Sequence, residues 1–197
     1  MITKEEATKL MEIPGEARGV TFKTDAEFVK IKGGLPALTQ LEEELKRLGY
    51  PIDYAGLKAT DWFSFGLRLL SLTVIKEQLN LDDQGIKAMG DLAPKHSFII
   101  KFLTRYFISP KQTLQFAFRY WRQHFSVGEL SIEKYDEKLN QLSLRIKGVT
   151  MLPIFATYLE GYFIRVLKFV LPAKNINSEI LAAPYKGDET TEIFFSW

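Results

Sequence analysis

The sequence predicts an α+β fold, with N-terminal helices packed against a four-stranded antiparallel sheet. Three observations carry that reading. Apolar residues recur at three- and four-residue steps through most of the chain up to about residue 126. Beyond Gly128 the period shortens to alternation, first in "ELSIEKYDEKLNQLSLRIKG" and again in the tail "NINSEILAAPYKGDETTEIFFSW". Between these stretches lies one strongly apolar helix, "LPIFATYLEGYFIRVLKFVL", so the C-terminal order is strand–strand–helix–strand–strand. Strands joined this way form an antiparallel sheet with the intervening helix packed on it. No linker or repeat interrupts the chain. Residues 1–197 therefore read as a single domain, helical over about 1–126 and sheet-based over about 127–197.

Each element has a local reason. Residues 1–12 form a short helix stopped by Pro14-Gly15, and "RGVTF" (18–22) has strand character. Thr24 and Asp25 offer caps for a helix starting at "AEFVKI". After Gly33-Gly34, Leu35, Leu38, Leu41, Leu45 and Leu48 mark an amphipathic helix, and Gly49 stands where a left-handed C-terminal cap is needed. Thr60 or Asp61 caps the next helix, which is apolar on nearly every side from Trp62 to Ile75 and must be central. Arg68 is the odd residue on it: it snorkels outward, pairs with an acid such as Asp61 or faces an anionic ligand, and one of the first two is expected. A short helix starts near Asp82-Asp83, Pro94 opens another, and Ser109-Pro110 begins a third. Two strands meet near Asp136–Lys138, a helix runs from Pro153 to before Pro172, and a second hairpin turns around Lys186–Asp188.

Composition removes several functions. With no cysteine, the chain has no disulfide, thiolate metal site, iron–sulfur cluster or cysteine nucleophile. A net charge of +2 is too small to imply a polyanionic partner by itself. The N-terminus mixes both charge signs and is no secretion signal. The longest apolar run contains Arg68 and falls short of a membrane span, so a cytoplasmic protein is expected.

The stretch "FAFRYWRQHFSVGEL" (116–130) sets aromatics beside cations, as single-stranded nucleic-acid surfaces do. Here the two segregate. Leu114, Ala117, Phe118, Trp121 and Phe125 share one face, while Lys111, Gln115, Arg119 and Arg122 share another. That is a core helix with a solvated back, and nucleic acid is not expected. His96 and His124 lie near opposite ends of their helices and have no acidic cluster beside them, so no metal site is expected. No phosphate loop, G-x-S-x-G or catalytic triad can be assembled, and no enzyme is expected.

The element order resembles a superfamily that includes the haem-nitric-oxide-binding sensor domains, the 4-vinyl-reductase type of small-molecule-binding domain and the vesicle-tethering TRAPP subunits. The strings "SFIIKFLTRYFIS", "RYWRQHFSVGEL" and "YLEGYFIRVL" are also similar to a bacterial family abundant as paralogues in myxobacteria, over roughly residues 16–171. The resemblance implies ligand sensing or tethering. In the haem sensors a proximal histidine lies on the helix before the first strand and a tyrosine–serine–arginine motif follows the second. This chain has Phe118, Arg119 and Tyr120 at the first place and "LRIKGVT" at the second, so haem does not carry over. The vinyl-reductase type often carries cysteines for metal, and this chain has none.

The expectation is a non-enzymatic sensor that binds an apolar or lipid-like small molecule in an interior aromatic pocket, with no cofactor. Candidate lining residues are Phe102, Tyr106, Phe118, Trp121, Tyr158 and Tyr162. A homodimer or docking module is the alternative, suggested by the many apolar sides of helix 153–171 and the terminal "IFFSW". Haem bound through His96 or His124 is a third.

Overall fold

The structure is a computed structural model, described here for residues 1–96, 119, 121–171, 173 and 175–197. The sequence-predicted helices over 95–109 and from Pro110 fall mostly outside those residues.

Helix α1 (Lys4–Met11) starts with a capping box, in which the Thr3 hydroxyl accepts from the Glu6 N–H and the Glu6 carboxylate accepts from the Thr3 N–H. Strand β1 (Glu16–Arg18) pairs antiparallel with β2 (Trp62–Ser64), so this two-stranded ribbon replaces the expected strand over 18–22. Helix α2 (Gly19–Leu48) begins directly after β1. Thr24 and Asp25 therefore lie inside a helix rather than capping one. At Gly34 the backbone takes φ 72°, ψ −170°, which only glycine adopts easily, and α2 bends there ahead of Pro36. Leu35 is thrown out to 67% exposure, while Leu38, Leu41, Leu45 and Leu48 keep the predicted buried stripe. Gly49 closes the helix with φ 97°, as expected.

Helix α3 (Phe65–Gln78) is capped by Ser64, not by Thr60 or Asp61. The carbonyls of Thr60 and Asp61 instead accept from the Arg18 guanidinium and the Gly19 N–H. The greasy-all-round reading of α3 holds, since Phe65, Leu69, Leu70, Leu72 and Ile75 have no exposed surface. Helix α4 (Asp83–His96) starts where Asp82 accepts from the Gly85 N–H. It runs through Pro94, which was expected to open a new helix. Proline has no N–H to give the carbonyl four residues back, at Gly90, but the surrounding packing carries the helix on.

The sheet is fully antiparallel in the order β3-β4-β6-β5, with β3 (Glu129–Asp136), β4 (Gln141–Lys147), β5 (Asn177–Ala182) and β6 (Thr191–Ser196). The first hairpin turns where the Asp136 carboxylate accepts from the Lys138 and Leu139 N–H groups, and Asn140 takes a positive φ of 54°. Leu142, Leu144 and Ile146 of β4, with Thr191, Ile193 and Phe195 of β6, make the buried face.

Helix α5 (Pro153–Val170) lies between this face and the helices α3 and α4. Its crossing with α4 is set by two glycines. A Cβ on Gly161 would stand 1.9 Å from the Lys87 carbonyl oxygen, and one on Gly90 would stand 2.0 Å from that of Tyr158. Two ion pairs flank the crossing: Lys87 to Glu160 at 3.0 Å, and Arg165 to both oxygens of Asp91 at 2.9 and 2.5 Å. Because backbone meets backbone, relaxation cannot absorb a methyl group. Gly161→Ala should cost about 1–3 kcal/mol or more, read as a lower urea midpoint with unchanged slope.

Candidate functional site

Between α2, α3 and α5 lies a polar cluster inside an apolar interior. Arg68 of α3 is 0% exposed and forms an ion pair with Asp25 of α2, which is 1% exposed. The guanidinium carbon also lies 5.0 Å from the ring centre of Tyr158 and 5.8 Å from that of Phe22. The cation is thus neutralised by a carboxylate and flanked by two aromatic faces. This corrects the sequence expectation: Arg68 does not snorkel, and its partner is Asp25 rather than Asp61. Burial pulls the guanidinium below its ordinary pKa, yet arginine starts so high that it stays charged. Burial also raises the Tyr158 phenol, with the Arg68 charge and a bond to Thr24 pulling it partway back. A second buried pair lies nearby on α3, where the Ser71 and Tyr54 hydroxyls meet at 2.6 Å.

Beside this cluster the aromatic rings form a continuous group. Phe65, Phe125 and Phe155 meet edge-to-face at centroid distances of 5.2 to 5.9 Å. Tyr158 stacks with Phe155 at 6.3 Å, and Trp121 lies 4.7 Å from Phe125. Sequence reasoning placed Trp121, Tyr158 and Tyr162 in a pocket. Trp121 is buried and donates its indole N–H to the Val127 carbonyl at 2.9 Å. Tyr158 is buried against Arg68, and Tyr162 is half-buried with its ring edge-to-face on Phe163 at 5.4 Å. Phe102, Tyr106 and Phe118 lie outside the described residues, as does the side chain of His96.

The segregation expected of the quoted stretch is present where it is described, with Trp121 and Phe125 turned inward and Arg119 and Arg122 exposed. Sequence reasoning set Phe125 on the buried face without counting it in the pocket, read Asp25 as a cap, and did not single out Phe155. The signal for Asp25 was there: Phe22, Ala26 and Val29 make a helical stripe, and Asp25 falls within it.

Solved structures fold the same way. An H-NOX protein from S. oneidensis in the Fe(II)NO ligation state matches with a TM-score of 0.64 at 14% identity, covering 91% of this chain and 98% of that one. The Fe(II)CO form of an H-NOX domain from Shewanella oneidensis gives 0.62 at 13% identity, over 91% and 97%. An Fe(II) unliganded H-NOX protein from K. algicida gives 0.58 at 12% identity, over 91% and 95%. The chain has the H-NOX fold. No protein-family model matches it, and no curated protein sequence matches it.

The residues at hand do not fit a haem held in the manner of those sensors. The chain's two histidines are His96 and His124, so none stands at Phe118–Tyr120. After β4 come Gly148, Val149 and Thr150, with no tyrosine, serine or arginine among them. The arginine of β4, Arg145, is tied to Glu133 at 2.7 Å. Among the described residues no group of three histidine or acidic side chains could hold a metal ion, and no helix is long and apolar enough to cross a membrane.

Two outcomes follow from the buried cluster. Arg68→Leu leaves Asp25 as an uncompensated buried charge and should cost about 3–5 kcal/mol in urea unfolding. The double variant Asp25→Leu/Arg68→Leu should recover most of that loss, because both desolvation penalties disappear together. Burial likewise raises the Tyr54 phenol, with Ser71 opposing. The unfolded chain then releases the Tyr54 and Tyr158 protons first, so stability should fall as pH rises above about 10. Unfolding curves from pH 8 upward should show that fall, and Tyr54→Phe should flatten it.

Proposed function

We propose that this chain is a non-enzymatic sensing domain that uses the H-NOX fold without haem and binds an apolar or lipid-like small molecule. One observation carries the reading. The interior is rich in rings at the junction of α3, α5 and residues 121–125, and Arg68, the one buried cation among the described residues, is already neutralised by Asp25. Such a lining offers shape and apolar contact with a few polar tips, which suits an uncharged body or chain. Likeness to ligand-holding proteins over 91% of the chain supports a binding role for that interior. The proposed lining is Phe102, Tyr106, Phe118, Trp121, Tyr158 and Tyr162.

The dimer alternative rests on the apolar sides of α5 and on the terminal "IFFSW". Helix α5 packs on α3 and α4 on one side and on the sheet on the other, with Ile154, Ile164, Phe169 and Val170 left half-buried. The terminal "IFFSW" is mostly strand β6, with Ile193 and Phe195 fully buried and Trp197 stacked on Tyr135 at 6.4 Å.

Native mass spectrometry of the purified protein, together with titration of a fluorescent fatty acid, tests the proposal. Saturable one-to-one binding is expected. Haemin should give no protein-bound Soret band. A stoichiometric Soret band, or the absence of any saturable fatty-acid binding, would overturn the reading.

A further inference from the structure

At the open end of the β3–β4 hairpin lies a surface groove of about 640 Å³, lined by Arg122, Phe125, Gly128, Glu129, Lys147 and Gly148. We propose that this groove binds a small organic carboxylate.

The charges argue for an anion. Arg122 and Lys147 both approach the single carboxylate of Glu129, at 3.7 and 3.3 Å. A charge-assisted N–H···O bond closes to about 2.7–2.9 Å. Arg47 to Glu44 at 2.6 Å, Arg145 to Glu133 at 2.7 Å and Arg165 to Asp91 at 2.5 Å do close, whereas the exposed Lys76–Asp83 pair, at 3.8 Å, is as open as this cluster. In the groove two cations share one slack acid, so one positive charge is left over and N–H donors remain available. A monoanion balances that charge, whereas a dianion would overshoot it.

The walls argue for an organic body. Gly128 and Gly148, with φ of 76° and 70°, bring bare backbone together as the floor, and a Cβ on Gly148 would stand 3.8 Å from the Gly128 Cα. Phe125 lines the inner side of the groove while its ring packs on Phe65, Trp121 and Phe155, and the Trp121 indole nitrogen would lie 3.4 Å from a Cβ on Gly128. Ser126 also lines the groove; its hydroxyl accepts from the Glu16 N–H at 2.8 Å and keeps its own O–H to donate.

Benzoate is the probe, followed by the amide shifts of Gly128 and Gly148 in nitrogen–proton correlation spectra of the full chain. Benzoate should saturate these shifts, and neutral benzamide and inorganic phosphate should both bind more weakly. Arg122→Gln and Lys147→Gln should each weaken benzoate about three- to fivefold, the range of a partly exposed charge contact. Glu129→Gln should tighten it, because the competing carboxylate is gone, and a purely structural role for Glu129 would not produce that. All three side chains are exposed enough that the variants keep the fold. Benzoate should also leave a bound fatty-acid probe in place, which keeps this site distinct from the interior one. No saturation, equal binding of benzamide, phosphate binding as tight as benzoate, unchanged affinity in the Glu129 variant or displacement of the fatty-acid probe would each overturn the assignment.

Discussion

A guanidinium with no access to water must be neutralised where it stands, and in this chain the burden falls on Asp25. The constraint reaches well beyond two residues. For Asp25 to reach Arg68, α2 has to begin at Gly19 and lie against α3. For the remaining faces of the cation to be shielded, Phe22 of α2 and Tyr158 of α5 must close over it. Three helices from distant parts of the sequence are thereby held in one register. A hydrophobic stripe alone would fix that register less sharply, since greasy surfaces slide at small cost while a misplaced buried charge does not.

The second constraint is steric. Gly90 and Gly161 let α4 and α5 touch backbone to backbone, and the Lys87–Glu160 and Asp91–Arg165 pairs fix how they cross. Ser178 of β5 donates to the same Glu160 oxygen at 2.7 Å, so the crossing is tied to the sheet. The β1–β2 ribbon adds a further tie. Glu16 and Ser126 bond in both directions, and Arg18 donates to the Gln123 carbonyl while stacking over Trp62 at 3.9 Å. The N-terminal part is in this way fastened to the segment that enters the sheet.

Much of this arrangement was legible in the sequence. Alternation in residues 129–147 and 177–196 gave both hairpins and their turns, because period-two patterning with one buried face leaves little freedom. The all-round apolar run of α3 announced a central helix. Local signals misled where tertiary contact outweighed them. Thr24 and Asp25 read as caps because such residues favour caps, yet a buried partner on α3 makes a mid-helix aspartate worthwhile. Pro94 read as a helix start because proline favours the first turn, but packing against α5 carries α4 through it. The β1–β2 ribbon was missed because three-residue strands are too short to show alternation. The partner of Arg68 was hidden because a sequence shows that a charge needs neutralising and not which acid lies across the core.

The fold is shared with proteins that hold haem, but the interior of this chain is organised around its own charged pair. If the Arg68–Asp25 pair is sealed under the rings of Tyr158 and Phe22, the Arg68 Nε–H is shut off from solvent. Proton–nitrogen spectra with arginine-selective labelling read this directly at neutral pH. The account predicts one guanidinium Nε–H that exchanges orders of magnitude more slowly than the others and shows magnetisation transfer to the two rings. Nε–H signals that all exchange at the rate of exposed arginines would contradict it.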